Sequence, residues 1–178
     1  MARTIYYVAS SLDGFIADAA NRIDWLLQFG FEEFDEHYRR FLSGIGAIVM
    51  GAATYDFLLG DPALRWPYAG IRTWVITHRA LPVVAGADIA FFEGDLTQLD
   101  PVLRQAAGDR DVWVVGGGSV AAQFADAGLL DELQVTYMPV IVGWGKRLLP
   151  ISSVSRPLQL VQSTPFPGGA VEHVYRLS

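Results

Sequence analysis

Val112-Trp113-Val114-Val115-Gly116-Gly117-Gly118-Ser119-Val120-Ala121-Ala122-Gln123-Phe124-Ala125 passes from four β-prone apolar residues through three glycines into an alanine-rich segment. The first part reads as a buried strand and the second as a helix from Ser119 to about Ala127. Glycine lets backbone approach a ligand without interference from Cβ, and the unpaired N–H groups at a helix start attract an anion. Ser119 can cap that helix or add a hydroxyl donor. The plain alternative is a tight strand–helix turn with no ligand, but such a turn rarely needs more than one glycine. The spacing is not G-x-G-x-x-G and the loop lies late in the chain, which disfavours an ordinary Rossmann domain.

Working outward, short apolar runs recur at Ile5–Ala9, Ala47–Met50, Trp74–Thr77 and Ile89–Phe92. Between them, Phe31, Phe34, Tyr38, Phe41 and Leu42 fall at helical spacing, a second helical pattern runs through Tyr55, Phe57 and Leu58, and a third spans Leu99 to Ala107. Buried strands alternating with helices predict a mostly parallel sheet covered on both faces. Leu133, Val135 and Tyr137 alternate with Glu132, Gln134 and Thr136, as on a strand with one wetter face. Leu158–Ser163 and Val171–Leu177, joined across Pro167-Gly168-Gly169, read as an antiparallel hairpin at one edge. No linker or repeat divides the chain, so residues 1–178 are expected to form a single domain.

The net charge of −6 and the scattering of basic residues argue against a nucleic-acid partner. Cysteine is absent, which removes thiolate nucleophiles, disulfides and zinc–sulfur sites and suits a reducing compartment. His37, His78 and His173 do not form a metal-spaced set, so no metal is expected. No run approaches the ~20 apolar residues of a membrane span, and the N-terminal run is too short for a signal-peptide core. A cytoplasmic protein with a small-molecule substrate is the expectation.

Several separated segments resemble one family in its own order, from about residue 3 to 150. Ser10-Ser11-Leu12-Asp13-Gly14-Phe15-Ile16-Ala17 resembles the Ser-Leu-Asp-Gly-x-Ile-Ala signature of riboflavin-pathway reductase domains, and Asp24-Trp25-Leu26 resembles the Asp-Trp segment of the smaller stand-alone members. Met50-Gly51-Ala52-Ala53-Thr54-Tyr55 resembles the Met-Gly-Arg-x-Thr-Tyr of dihydrofolate reductases. Val114 to Val120 resembles their glycine loop. Asp131-Glu132-Leu133 and Pro139 to Lys146 resemble the riboflavin-type branch. The chain is therefore identified as similar to the dihydrofolate reductase superfamily, closest to the C-terminal reductase domain of bifunctional riboflavin deaminase-reductases. The resemblance implies a three-layer α/β sandwich, NADPH as cofactor, and hydride transfer to a C=N or C=O bond of a small heterocycle. The implied activity is like that of 5-amino-6-(5-phosphoribosylamino)uracil reductase or of dihydrofolate reductase.

Carried over residue by residue, the resemblance implies cofactor contacts at Ala9, Ile16, Gly51, Ala53 and Thr54, at Val115, Gly116, Gly117, Gly118, Ser119 and Val120, and at Thr77, His78 and Arg79. Arg79 would grip a 2′-phosphate, favouring NADPH. Ala52 replaces the arginine usual in relatives, which leaves NADH possible. Phe15 replaces a lysine suited to a ribose phosphate, so an uncharged or aromatic substrate fits better. Asp13 and Trp25 are candidate substrate contacts, alongside a turn-forming role for Asp13 and a core role for Trp25. The catalytic acid of relatives lies on the first long helix, and counting back from Met50 lands on Asp35, where burial would raise its pKa. The plain reading of Asp35 is a solvated acid on a charged helix face. A second functional reading is a catalytically inactive nucleotide-binding sensor or interaction module. Homodimer formation is expected through exposed aromatics at Trp66-Pro67-Tyr68 or through the hairpin edge.

Overall fold

The computed structural model describes residues 2–60 and 65–177. In chain order the elements are β1 (Thr4–Ser11), β2 (Phe15–Asp18), α1 (Asp24–Leu27), α2 (Asp35–Ser43), β3 (Ile45–Gly51), α3 (Ala52–Leu59), β4 (Arg72–Ile76), β5 (Ile89–Phe92), α4 (Leu96–Ala107), β6 (Asp111–Val115), α5 (Gly118–Asp126), β7 (Glu132–Met138), β8 (Gly145–Arg147), β9 (Gln159–Pro165) and β10 (Val171–Arg176). Eight strands form one sheet in the order β5-β4-β3-β6-β1-β7-β10-β9. The first six in that order pair in parallel, while β10 runs antiparallel to both β7 and β9. This is the mostly parallel sheet with an antiparallel terminal hairpin that the apolar periodicity predicts.

Two cores make the three layers. On one face Leu96, Leu99 and Leu103 of α4 and Val120, Ala121 and Phe124 of α5 pack on Tyr6, Val49, Val112, Val114 and Val135. On the other face Tyr38, Phe41 and Leu42 of α2 and Tyr55 of α3 pack on Ile48, Met50, Trp113 and Val115. Trp66 and Tyr68, expected on the surface as a dimer contact, are 9 % and 8 % exposed and belong to this second core. Tyr68 meets Trp113 edge-on at 5.5 Å, a geometry that aromatic quadrupoles favour. Only Pro67 between them remains exposed.

Three further local readings are corrected by the structure. The helical spacing that begins at Phe31 is realised only from Asp35, because Gly30 takes φ 67° and 31–34 turn ahead of the helix. The helix read from Leu99 starts earlier, at Leu96, where the Asp95 carboxylate accepts from Thr97 N at 2.8 Å and caps it. The alternate residues of β7 are not a wet face: Glu132, Gln134 and Thr136 are all buried. They are polar because each has a partner there. Glu132 takes an ion pair from Arg3 at 2.8 Å, and Arg3 also holds Asp111, so one guanidinium ties the starts of β6 and β7 beside β1.

The small antiparallel sheet of β2 and β8, not evident from sequence, comes from two of the matched segments folding on each other. Asp13 accepts from Val142 N at 3.0 Å and from Gly143 N at 2.7 Å. A Cβ on Gly145 would collide with the Ala17 carbonyl, so this glycine is needed for close strand approach.

Candidate functional site

In a parallel sheet the C-terminal ends of the strands share one edge, and loops leaving that edge can enclose a ligand. Here the end of β1, the β3–α3 corner and the β6–α5 glycine loop meet there. They line a cleft of about 280 Å³ that includes Ala9, Ile16, Ala53, Thr54, Val115, Gly116 and Gly117, together with Tyr68 and Lys146. Seven residues expected from sequence to contact cofactor are thus brought together at one cleft.

The three glycines have separate physical causes. Gly116 has φ 83°, and a Cβ there would strike Thr54, whose Cγ2 would lie at 2.5 Å. Gly118 is hemmed by the backbone of 147–148, with Arg147 O only 2.5 Å from a would-be Cβ. Gly117 is different: its φ of −61° suits any residue, and a Cβ would meet nothing nearer than Thr54 Oγ1 at 3.8 Å. Two glycines therefore serve packing, and the third keeps the open side of the loop clear. The Thr54 hydroxyl accepts from Gly117 N at 3.2 Å, and the Tyr6 hydroxyl donates to Gly116 O at 2.9 Å, so the loop is held from both sides.

Other expected residues lie around the cleft and not in its wall. Gly51 caps α3 and packs against Val120, which is itself core. Ser119 is not the helix cap, a place taken by Gly117, and is exposed in the first turn of α5. Thr77, His78 and Arg79 follow β4. Arg79 bonds Asp56 on α3, Thr77 Oγ1 accepts from Arg79 N at 2.9 Å, and His78 pairs with Glu93. Asp56 and Arg79 both lie outside the cleft wall, and the Arg79 guanidinium is engaged by the Asp56 carboxylate.

A second cavity of about 320 Å³ adjoins the first and shares Val8, Ala9 and Leu26 with it. Its walls are Tyr7, Phe31, Phe34, Tyr38 and Trp113, with Thr136 and Met138 from β7. Among the described residues, no Lys, Arg, Asp or Glu lines it. Burial holds the Tyr7 phenol well above its ordinary pKa, with the negative charge of Glu172 adding to the effect, and burial does the same to Tyr38. Both phenols are neutral donors at any physiological pH. The sequence signal for this wall is the Phe31–Phe34–Tyr38 spacing, which reads only as the apolar positions of a helix. Thr136 and Trp113 carried no signal, because their strand positions alone do not show what faces them.

The acid and substrate candidates fare differently. Asp35 is on the outer side of α2, its side chain 53 % exposed and paired with Arg39 one turn on. The hydrogen bond from Arg39 holds its carboxyl below the usual range, the reverse of the raised value expected from burial. Asp13 is likewise held low, by the Ser11 hydroxyl first and then by the Val142 backbone, and it serves the 140s loop. Trp25 lies outside both cavity walls, and its buried indole N–H has no partner among the described residues.

These features are those of a dihydrofolate reductase-like α/β protein with a strand-end cleft. The RibD C-terminal domain model matches residues 61–171, and the chain belongs to that family. It is 28 % identical to the Bacillus subtilis (strain 168) protein YyaP, over 97 % of this chain and 94 % of YyaP. A structure from Shewanella sp. PV-4, assigned to riboflavin biosynthesis, superposes with a TM-score of 0.85 at 25 % identity, covering 100 % of this chain and 99 % of that one. Dihydrofolate reductase from Enterococcus faecalis, solved with NADP(H), shares the fold at a TM-score of 0.65 and 17 % identity, covering 99 % of this chain and 97 % of that one.

Proposed function

We propose that this protein is an NADPH-dependent reductase that transfers hydride to a C=N or C=O bond of a small uncharged, planar substrate. The observation that carries the reading is the pair of adjoining cavities: a glycine-edged cleft and an aromatic pocket that share Val8, Ala9 and Leu26. The cleft suits a dinucleotide chemically, since Gly117 leaves its backbone approachable and the opening N–H groups of α5 have no helical acceptors. Gly116, Gly117 and Thr54 would hold the pyrophosphate, and Ala9, Ile16 and Ala53 would flank the rest. When bound, NADPH supplies the hydride. The aromatic pocket supplies stacking surface and excludes water.

The missing cation decides the substrate class. A phosphoribosyl group carries about two negative charges at neutral pH, and the aromatic pocket offers it no basic side chain. Desolvating such a charge without a partner is strongly unfavourable, so a neutral heterocycle fits where the riboflavin precursor does not. Arg79 is the available basic group for a 2′-phosphate, in competition with Asp56. Ala52 on α3, where relatives carry arginine, adds no second basic group at that position and leaves NADH as an accepted alternative. A second copy of the chain would pair along β9, an edge strand that exposes Leu160 and Val161.

The test is titration of NADPH and NADH against the purified protein, followed by an NADPH-oxidation screen with neutral and phosphorylated heterocycles. Stabilisation by NADPH and oxidation by neutral acceptors support the reading. No stabilisation by either nucleotide overturns it.

A further inference from the structure

Behind the aromatic pocket sits a histidine–carboxylate pair that the cleft does not use. Glu172 on β10 is 1 % exposed, and a carboxylate at that depth is strongly unfavourable unless paired. Its partner is His37 on α2, whose Nε2 lies 2.8 Å and 2.9 Å from the two carboxylate oxygens. Thr136 Oγ1 on β7 donates to the same carboxylate at 3.4 Å, and Thr136 lines the pocket. The His37 side chain is 21 % exposed. A chain of exchangeable protons therefore runs from solvent through His37 and Glu172 to the pocket wall. Buried polar pairs of this kind contribute little net stability on average, so stability alone does not account for one placed here. Asp35, two residues earlier on α2, is turned about 200° away.

We propose that Thr136 is the residue that protonates the substrate, with His37 and Glu172 as positioning residues that replenish its proton. The proposal rests on the reductase reading. As hydride adds to carbon and the C=N or C=O π bond breaks, the heteroatom takes the Thr136 hydroxyl proton. Beforehand His37 has passed its Nε2 proton to Glu172; Thr136 takes that proton as it gives up its own, which leaves Glu172 a carboxylate, and solvent restores His37. The groups facing the pair are Tyr7 from β1 and Gln134 from β7, with Thr164 as the register neighbour on β9. Among nearby acids on the α2 side, Glu33 accepts from Gly168 N and Glu36 pairs with Arg40 on the exposed face.

Two measurements test it. The first is stopped-flow NADPH oxidation across pH with an acceptor found in the screen, for wild type, His37→Gln, Glu172→Gln, Thr136→Val and Thr136→Ser. The wild-type rate should fall as pH rises. The first three variants should lose about a hundredfold, in the range of general acid catalysis, and lose the pH dependence, while NADPH affinity stays near wild type; His37→Gln and Glu172→Gln, which break a buried pair, should also melt lower, whereas Thr136→Val should melt near wild type. Thr136→Ser should recover most of the rate. Variants that keep the wild-type pH profile overturn the relay. The second needs no turnover: ¹⁵N spectra of the His37 ring, with quinazoline as pocket probe at a concentration where saturation transfer shows it bound. The probe should move the His37 resonances in wild type and leave them unmoved in Thr136→Val. Unmoved resonances in wild type, or equal movement in both, overturn the coupling. A wild type that oxidises no NADPH yet passes the second measurement removes the reductase reading and keeps the proton chain, so the two failures are distinct.

Discussion

Gly117→Ala separates a phosphate cradle from a mere turn more sharply than any other single substitution. The backbone at 117 has φ −61° and ψ 127°, which alanine adopts without strain, and the new methyl would find only Thr54 Oγ1 at 3.8 Å. Restricting the unfolded chain at such a compatible site stabilises by about 0.4–1 kcal/mol. Urea unfolding should therefore show a midpoint equal to or slightly above that of wild type. Nucleotide binding should move the other way. The methyl would be added to a residue that lines the cleft, next to the helix start proposed to receive the phosphate. Losing one charge-assisted hydrogen bond to a phosphate costs about 1.5–3 kcal/mol, and the corresponding fall in NADPH affinity, at about 1.4 kcal/mol per factor of ten, is roughly ten- to a hundredfold. The assay is NADPH fluorescence titration on the same preparation. An unchanged Kd with unchanged stability would refute the cradle and leave the loop a packing device. A destabilised variant would refute the account of which glycines are required for packing.

The neighbouring substitution should behave oppositely. Gly118→Ala drives a methyl into the fixed carbonyls of 147–148 and should cost about 1–3 kcal/mol by overpacking, read as a lower urea midpoint; a wild-type midpoint would show that β8 can yield. Tyr6→Phe removes the hydroxyl that bonds Gly116 O and Leu148 O and should cost about 1 kcal/mol, again by urea unfolding, with no loss contradicting the clamp. Arg79→Ala should weaken NADPH but leave NADH binding unchanged, while Asp56→Asn should strengthen NADPH by freeing Arg79; an unaltered preference in both would place the 2′-phosphate elsewhere. Asp35→Asn should leave the oxidation rate and its pH profile unchanged. Its carboxyl, held low by Arg39, is ionised throughout the neutral range and loses its pairing only as pH falls through that lowered value. A tenfold loss of rate would restore Asp35 as the acid.

Local pattern carried much of the architecture. Four-residue apolar runs alternating with 3.6-period segments specify buried parallel strands and their covering helices, because period and burial are properties of consecutive residues. The glycine loop was legible for the same reason: strand, turn and helix adjoin in the chain. Thr54 and Ala53 were legible too, since they open a helix directly after a buried strand, and the structure sets them beside Gly116 and Gly117 in one cleft.

What the chain could not show is which polar side chains face one another across elements. Asp35 and His37 differ by two positions on one helix, and sequence position favoured the carboxylate. Only the packing of α2 against the sheet turns His37 inward to Glu172, 135 residues away, and leaves Asp35 to solvent. The alternation on β7 likewise named Gln134 and Thr136 as a wet face, since pattern registers polarity but not what covers it. Packing of α2 over β7 buried that face, where Gln134 meets His37 and Thr136 lines the aromatic pocket. Composition and periodicity determined the layers of this protein. The long-range pairing of strands and the rotation of one helix decided where its chemistry sits.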